Sequence, residues 1–271
     1  MLRPKTAFSE KTVKNVHIGK GTVKLRNFQL EVYCFVTDGI LIDTGAKTLE
    51  RDLLPFFAKH DIDKIVITHH HEDHTGNAAF LQENYQLPIY MSDEKIDECR
   101  KKAEYPLYRK VFWGKRDPFL AQPIGKTFSS RTFTWDVIKT PGHAIDHIAL
   151  FNKETGQLFT GDLYCYEKTK VVLPEESIST IITSIKKVLT YDFDEVFCSH
   201  AGYIKNGREV LSRKLDYLLE LQEKILKLYQ EGKSIRQITK TIFLQKFPIT
   251  IFSFGEWSPA NIVKSVIRDC L

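Results

Sequence analysis

The chain has 271 residues, 42% of them hydrophobic and 27% charged, enough apolar material to bury one large domain or one domain with a small appendage. Its 39 basic residues exceed the 34 acidic ones by only five, too small an excess to imply a polyanionic partner without a localised patch, so nucleic acid is open but not implied. Residues 1–10 carry Arg3, Lys5 and Glu10 without an apolar stretch, and no later run reaches spanning length, so the expectation is a cytoplasmic chain with no signal peptide and no membrane partner.

In chain order, β-type runs occur at residues 13–18, 22–26, 30–36 and 40–43, the last closing on the turn Asp43-Thr44-Gly45. A helix is predicted over 49–60, an apolar run over 64–68 and a second helix over about 75–83. Further strands are predicted at 88–91, 135–139, 147–151, 158–160 and 195–199, with a helix at 177–190. So many strands exceed what a doubly wound sheet needs, and the pattern predicts two packed sheets with helices outside, a four-layer α/β sandwich.

From Gly207 the pattern changes. Leu211, Leu215, Leu218, Leu221, Ile225 and Leu228 recur every three or four residues, and Gly232 is placed to stop that helix. Ser234 and the pair Ser258-Pro259 offer starts for two more helices. The expected division is therefore a catalytic domain at 1–206 and a small helical appendage at 207–271. Five scattered cysteines, Cys34, Cys99, Cys165, Cys198 and Cys270, lack the close pairs of a disulfide framework or zinc knuckle and read as reduced thiols.

The densest chemical signal is Thr68-His69-His70-His71-Glu72-Asp73-His74-Thr75-Gly76-Asn77, which directly follows an apolar run. Neutral imidazoles and carboxylates are the ligands that zinc and similar divalent ions prefer, and their convergence lets a cation offset the cost of gathering polar groups. Three later segments each place a metal-binding residue type where a strand should end: Thr140-Pro141-Gly142-His143, Phe159-Thr160-Gly161-Asp162 and Cys198-Ser199-His200-Ala201-Gly202. No phosphate-binding glycine loop and no Ser or Cys nucleophile signature is present.

The segment His69-x-His71-x-Asp73-His74 resembles the defining motif of the metallo-β-lactamase superfamily, and the three later segments resemble its remaining ligand positions in order. The resemblance implies an αββα sandwich in which His69, His71 and His143 bind one metal ion. It implies that Asp73, His74 and His200 bind a second and that Asp162 bridges the two, while His70 and Glu72 face away. Asp43, in a segment that also resembles the family, is expected to support a ligand-bearing loop by accepting an imidazole N–H. The cofactors implied are two divalent ions, zinc first and Mn2+ or Fe2+ as alternatives. The implied function is a hydrolase cleaving an ester, thioester or lactone of a small-molecule substrate with a bridging hydroxide, Asp73 taking up the proton.

A bridging Asp162 resembles glyoxalase II-type, lactonase and nuclease members more than antibiotic-hydrolysing lactamases. The helical tail is similar to that of the group holding glyoxalase II-type hydrolases and β-lactamase-like-2 ribonucleases. Two departures leave the natural substrate open: Ala144-Ile145-Asp146-His147 replaces the commoner Thr-x-Gly-His, and Ala201-Gly202 follows the last ligand. The alternatives are a phosphodiesterase or ribonuclease of this fold and a mononuclear iron enzyme of the persulfide dioxygenase type. His147 has two readings, a catalytic proton donor or a buried hydrogen-bonded histidine. The basic and aromatic segment 103–120 likewise reads either as a lid on which bases stack or as an insertion whose rings pack inward. Tyr164 and Tyr166 are candidates for lining a pocket or packing in the core, and oligomeric state is left open.

Overall fold

The structure, a computed structural model, describes residues 3–26 and 28–271. The first sheet holds β1 (Lys5–Val13), β2 (Val16–Leu25), β3 (Phe28–Thr37), β4 (Ile40–Ile42), β5 (Lys64–Val66), β6 (Ile89–Met91) and β7 (Gln122–Pro123), side by side in that order. Its first four strands form an antiparallel meander, and β4 to β7 run parallel. The parallel strands are joined by crossovers carrying α1 (Glu50–Ala58), α2 (Glu72–Thr75), α3 (Ala78–Tyr85), α4 (Ile96–Cys99) and α5 (Leu107–Trp113). The second sheet consists of β8 (Thr127–Ser129), β9 (Thr134–Lys139), β10 (Ile148–Asn152), β11 (Gln157–Gly161), β12 (Glu195–Cys198) and β13 (Gly202–Ile204), ordered β13-β12-β11-β10-β9-β8.

Residues that alternate along these strands divide the apolar side chains among three layers of contact. Between the sheets, Ile18, Phe35, Ile42 and Val66 meet Trp135, Ile148, Leu150, Phe159 and Phe197. Phe159 stacks on Phe197 at 4.8 Å while Phe35 packs edge-on against both. Outside the first sheet, Leu53, Phe56 and Phe57 of α1 join Leu41, Ile65 and Ile89. Outside the second, α6 (Ile178–Val188) and the tail helices α7 (Gly207–Gln230), α8 (Ile235–Ile242) and α10 (Pro259–Cys270) cover Ile138, Leu158 and Val196. Two sheets inside and helices on both outer faces make the four-layer sandwich that the strand count predicted.

The tail follows its sequence signals closely. Leu211, Leu218, Leu221 and Ile225 of α7 are buried, Ser234 caps α8 in a capping box with Gln237, and Ser258 caps α10 with Pro259 in its first turn. A short α9 (Pro248–Phe252) lies between. Because Leu211, Leu218, Ile262 and Val266 share one apolar cluster with the second sheet, the tail completes that layer.

Local expectations fail where side chains carry no periodic signal. The strand predicted at 13–18 spans the end of β1, a turn through Lys14 at φ 51°, and the start of β2. Most β1 side chains are exposed on both faces, so no alternation marks the strand. The helix predicted over 75–83 is broken at Gly76-Asn77 because the Asn77 side chain donates to the carbonyls of Thr44 and Ala46. A Cβ on Gly76 would lie 2.2–2.6 Å from backbone atoms of residues 45–47, so only glycine allows that approach. Among the described residues no helix is long and apolar enough to cross a membrane, and all five cysteines are unpaired.

Phe159 is fully buried where the two sheets interdigitate. Phe159→Ala is expected to cost roughly 3–5 kcal/mol, read as a shift in the urea midpoint with an unchanged slope.

Candidate metal centre

Strands β4, β5, β9, β11 and β12 end at one rim of the sandwich, because β4 and β5 run parallel in the first sheet and β9, β11 and β12 share a direction in the second. The segments leaving those ends carry, respectively, Asp43, the run His69 to His74, His143, Asp162 and His200. Residues scattered over more than 150 positions of sequence thus meet at one place. Backbone hydrogen bonds close the rim: Thr44 donates to the His74 carbonyl at 2.7 Å, Ile148 to Thr68 at 2.9 Å and Ser199 to Gly161 at 3.0 Å.

Seven side chains converge there. His69 Nε2 and His143 Nε2 each lie 3.1 Å from His71 Nδ1. His200 Nε2 lies 3.4 Å from Asp73 Oδ2, and His74 Nε2 lies 3.8 Å from Asp73 Oδ1. Asp162 reaches both sets, with Oδ2 3.4 Å from His143 Nε2 and 3.1 Å from His200 Nε2, and Oδ1 3.5 Å from His74 Nε2. The sets His69/His71/His143, Asp73/His74/His200 and His69/His74/Asp162 each present atoms within 4.8 Å of one another and could hold a metal ion. A tetrahedral zinc with bonds of about 2.0–2.1 Å has ligand-to-ligand edges of about 3.3 Å, close to most of these separations. His74 Nε2 and Asp162 Oδ1 are buried with no hydrogen-bond partner among the described residues, a cost of about 1–3 kcal/mol for each neutral group and more for a charged one that a cation would remove. The donor set fits a divalent metal.

A ring of partners holds these groups from behind. The fully buried Asp43 carboxylate meets His74 Nδ1 at 2.7 Å and accepts from the Thr68 amide at 2.8 Å, the Thr68 hydroxyl at 2.9 Å and the Ser199 hydroxyl at 3.1 Å. Its backbone sits at φ 58°, a conformation that aspartate tolerates better than most side chains. Glu176, which no motif of the sequence singles out, bonds His143 Nδ1 at 2.9 Å, and the Glu31 carbonyl meets His200 Nδ1.

His147 lies behind the cluster, 1% exposed, with Nδ1 2.8 Å from the Thr140 hydroxyl and Nε2 accepting the Asp162 amide at 2.9 Å. Both ring nitrogens are engaged, so this geometry fits the buried, hydrogen-bonded reading and leaves no free atom to protonate a leaving group. Gly161, at φ 49°, has room for no side chain: a Cβ there would stand 2.6 Å from His147 Nε2.

Charge divides the cluster. Burial, then His74 and His71, hold His69 well below the ordinary imidazole range, and burial and His143 do the same to His71. Burial also opposes charge on His74 and His200, yet Asp162 first, with Asp43 and Asp73 beside His74, raises both well above that range. Burial works against Asp73 ionising, but His74 and His200 keep its carboxyl low.

A cavity of about 750 Å³ opens beside His71, lined by His70, Glu72, Arg109, Ile145, Glu175 and Glu256 among others. His70 and Glu72 offer no atom to the metal-binding sets but face this cavity, His70 with Nδ1 2.8 Å from the buried Asp146. In the insertion 103–120, Phe112, Trp113 and Phe119 are buried, while Tyr105 and Tyr108 are half-buried and Tyr105 lines the cavity. Tyr164 packs against the apolar cluster outside the second sheet, Tyr166 is exposed, and neither lines the cavity. His17 and His60 stack on each other at 4.3 Å, outside the metal-binding sets.

Residues 32–200 match the Metallo-beta-lactamase superfamily, and the chain belongs to it. Over 234 residues it is 29% identical to a hydroxyacylglutathione hydrolase of Aliivibrio fischeri, covering 84% of this chain and 81% of that one. Over 212 residues it is 27% identical to the beta-lactamase-like protein 2 homolog of Caenorhabditis elegans, covering 74% of this chain but only 65% of the relative's length. A beta-lactamase domain protein from Burkholderia ambifaria shares the fold with a TM-score of 0.70 at 17% identity, over 95% of this chain and 87% of that one.

Burial, then the neighbouring His143, push His147 down to about 3, against about 6.5 in an unfolded chain. The unfolded chain therefore binds a proton that the fold refuses, and stability is lost as pH falls through the window from about 6.5 to 3. Between pH 7 and 5 this one group should cost the metal-free protein about 2 kcal/mol, so the urea midpoint of His147→Gln should fall less over that interval than that of the parent.

Proposed function

We propose that this protein is a metal-dependent hydrolase that cleaves an ester, thioester or lactone bond of a small molecule. The observation that carries this reading is the convergence of seven buried or nearly buried side chains, one of which, His71, lines a cavity large enough for such a substrate. His69, His71 and His143 would hold one divalent ion, Asp73, His74 and His200 a second, and Asp162 would touch both. Imidazole and carboxylate donors suit zinc first, with manganese or ferrous iron as alternatives. When bound, such a pair of ions supplies Lewis acidity and a lowered pKa for water.

The chain's own residues do the rest. Asp43, Glu176 and the Glu31 carbonyl fix the tautomers of His74, His143 and His200, so that Nε2 of each is free to face the cluster. His147 orients Asp162 through its backbone amide. Asp73, kept ionised by His74 and His200, accepts the proton released as water adds to the acyl carbonyl. Residues 1–206 carry this chemistry, and 207–271 form the appendage that backs the second sheet and walls one side of the cavity through Glu256.

Named relatives support acyl chemistry, among them the hydroxyacylglutathione hydrolase and a thioesterase of Emericella nidulans, 26% identical over 69% of this chain but only 49% of that relative's length. A base-stacking role for the insertion is disfavoured because three of its five rings, Phe112, Trp113 and Phe119, are buried. A mononuclear iron enzyme would leave the set Asp73, His74 and His200 without a use. Five unpaired cysteines suit a cytoplasmic setting.

A screen of chromogenic esters, thioesters, lactones and phosphodiesters on protein of measured metal content tests this reading. Turnover of an acyl substrate with two zinc or manganese ions per chain is expected; one iron per chain, or turnover of phosphodiesters alone, refutes it. His71→Ala and Asp162→Ala should each lose more activity than the roughly 10–100-fold that removal of an outer partner costs. Glu176→Gln should weaken zinc binding by about 10–100-fold in a chelator competition, since His143 would lose the carboxylate that orients it.

A further inference from the structure

Arg109 stands in α5, within the insertion between β6 and β7, and its guanidinium forms a two-pronged ion pair with Glu72. Nε lies 2.6 Å from Oε1 and Nη2 2.7 Å from Oε2. The pair is secluded, with side chains 11% and 3% exposed. Glu72 is the residue between His71 and Asp73, so its backbone is that of the motif itself. The remaining nitrogen, Nη1, lies 3.5 Å from Oε1 of Glu256 in the loop after α9. One guanidinium therefore joins the motif helix, the insertion and the tail.

Those same three segments form one wall of the cavity through Glu72, Tyr105, Pro106, Arg109 and Glu256. Apolar contacts run alongside, with Phe252 of α9 5.6 Å from Tyr108 and 6.2 Å from Phe112. Tyr105 fastens the insertion to itself, its hydroxyl donating to the Gly114 carbonyl at 2.7 Å and accepting from the Arg116 amide at 2.8 Å. A buried ion pair is weak support for stability, because apolar residues of the same shape often do as well. What a planar fork offers is fixed orientation, which a lysine cannot reproduce on two oxygens.

We propose that Arg109 is a positioning residue that sets which substrates the cavity admits, by pinning the insertion and the tail loop to the motif helix as a fixed wall beside His71. The proposal rests on the hydrolase reading for its substrates but not for its geometry. Freed from Arg109, the wall loosens and the cavity loses its discrimination by size, while the metal-binding side chains keep their own supports from Asp43, Glu176 and Glu31.

The test compares Arg109→Met, Arg109→Lys and Glu256→Gln with the parent, using hydrogen exchange, zinc stoichiometry and, on the acyl substrate that the screen identifies, kinetics with short and long acyl chains. In Arg109→Met, residues 107–113 and 248–256 should lose protection while zinc stoichiometry is unchanged. KM for the short substrate should rise about tenfold with kcat within about threefold, the split expected when binding is lost and chemistry is not, and the preference between acyl lengths should shrink. Arg109→Lys should not restore it. Glu256→Gln, which leaves the buried pair intact, should loosen 248–256 alone and raise KM by less. Unchanged protection in folded Arg109→Met, full rescue by lysine, or a fall in kcat with lost zinc overturns the proposal. Should Arg109→Met not fold, unchanged exchange and KM in Glu256→Gln overturns it instead. If the parent hydrolyses nothing, the hydrolase reading fails while exchange and zinc binding still decide the wall.

Discussion

Asp43 accepts hydrogen bonds from the amide and hydroxyl of Thr68 and from the hydroxyl of Ser199, and it holds the imidazole of His74. Through that one buried carboxylate the end of β4 is tied to the end of β5, to α2 and to the segment after β12. The two sheets belong to different halves of the chain, and at this rim hydrogen bonds between polar groups join them. A left-handed backbone at Asp43 is the local cost of aiming a carboxylate at four donors. The arrangement places His69, His71, Asp73 and His74 on a single short path out of the first sheet, opposite His143, Asp162 and His200 from the second.

Gathering five imidazoles and two carboxylates away from water is unfavourable unless charges are matched. The histidines answer in two ways. His69 and His71, crowded by other imidazoles, stay neutral, whereas His74 and His200, facing Asp162 and Asp73, favour the proton. A divalent ion would serve these groups better than protons on the imidazoles, since a metal satisfies several lone pairs at once and leaves no atom such as Asp162 Oδ1 unpartnered. The outer partners then decide which nitrogen of each ring faces inward.

Around this core, the insertion and the tail shape access. Three rings of the insertion, Phe112, Trp113 and Phe119, serve packing, and one of its cations, Arg109, is committed to Glu72 and Glu256. Basic and aromatic residues of this segment, Tyr105, Arg109 and Arg116 among them, line the cavity here. The composition of the segment is the same under either reading. Only the direction of each side chain separates them.

The motif His69-x-His71-x-Asp73-His74, the strand-end positions of His143, Asp162 and His200, the sandwich and the tail helices were all legible in the sequence. Each rests on local pattern: strand periodicity, helix caps, and ligand types at strand ends. Strand β1 and the break at Gly76 were not, because an exposed strand has no alternation and a helix break made by a distant backbone leaves no local mark. Glu176 and the Glu72–Arg109–Glu256 network were equally hidden, since one carboxylate 33 positions from its histidine resembles any surface glutamate. The sequence by itself determined which side chains could bind metal and in what order the strands deliver them. Tertiary structure alone decided which partners orient those side chains, that His147 lies behind the site, and what encloses the cavity, because those depend on contacts between segments that only the closed sandwich brings together.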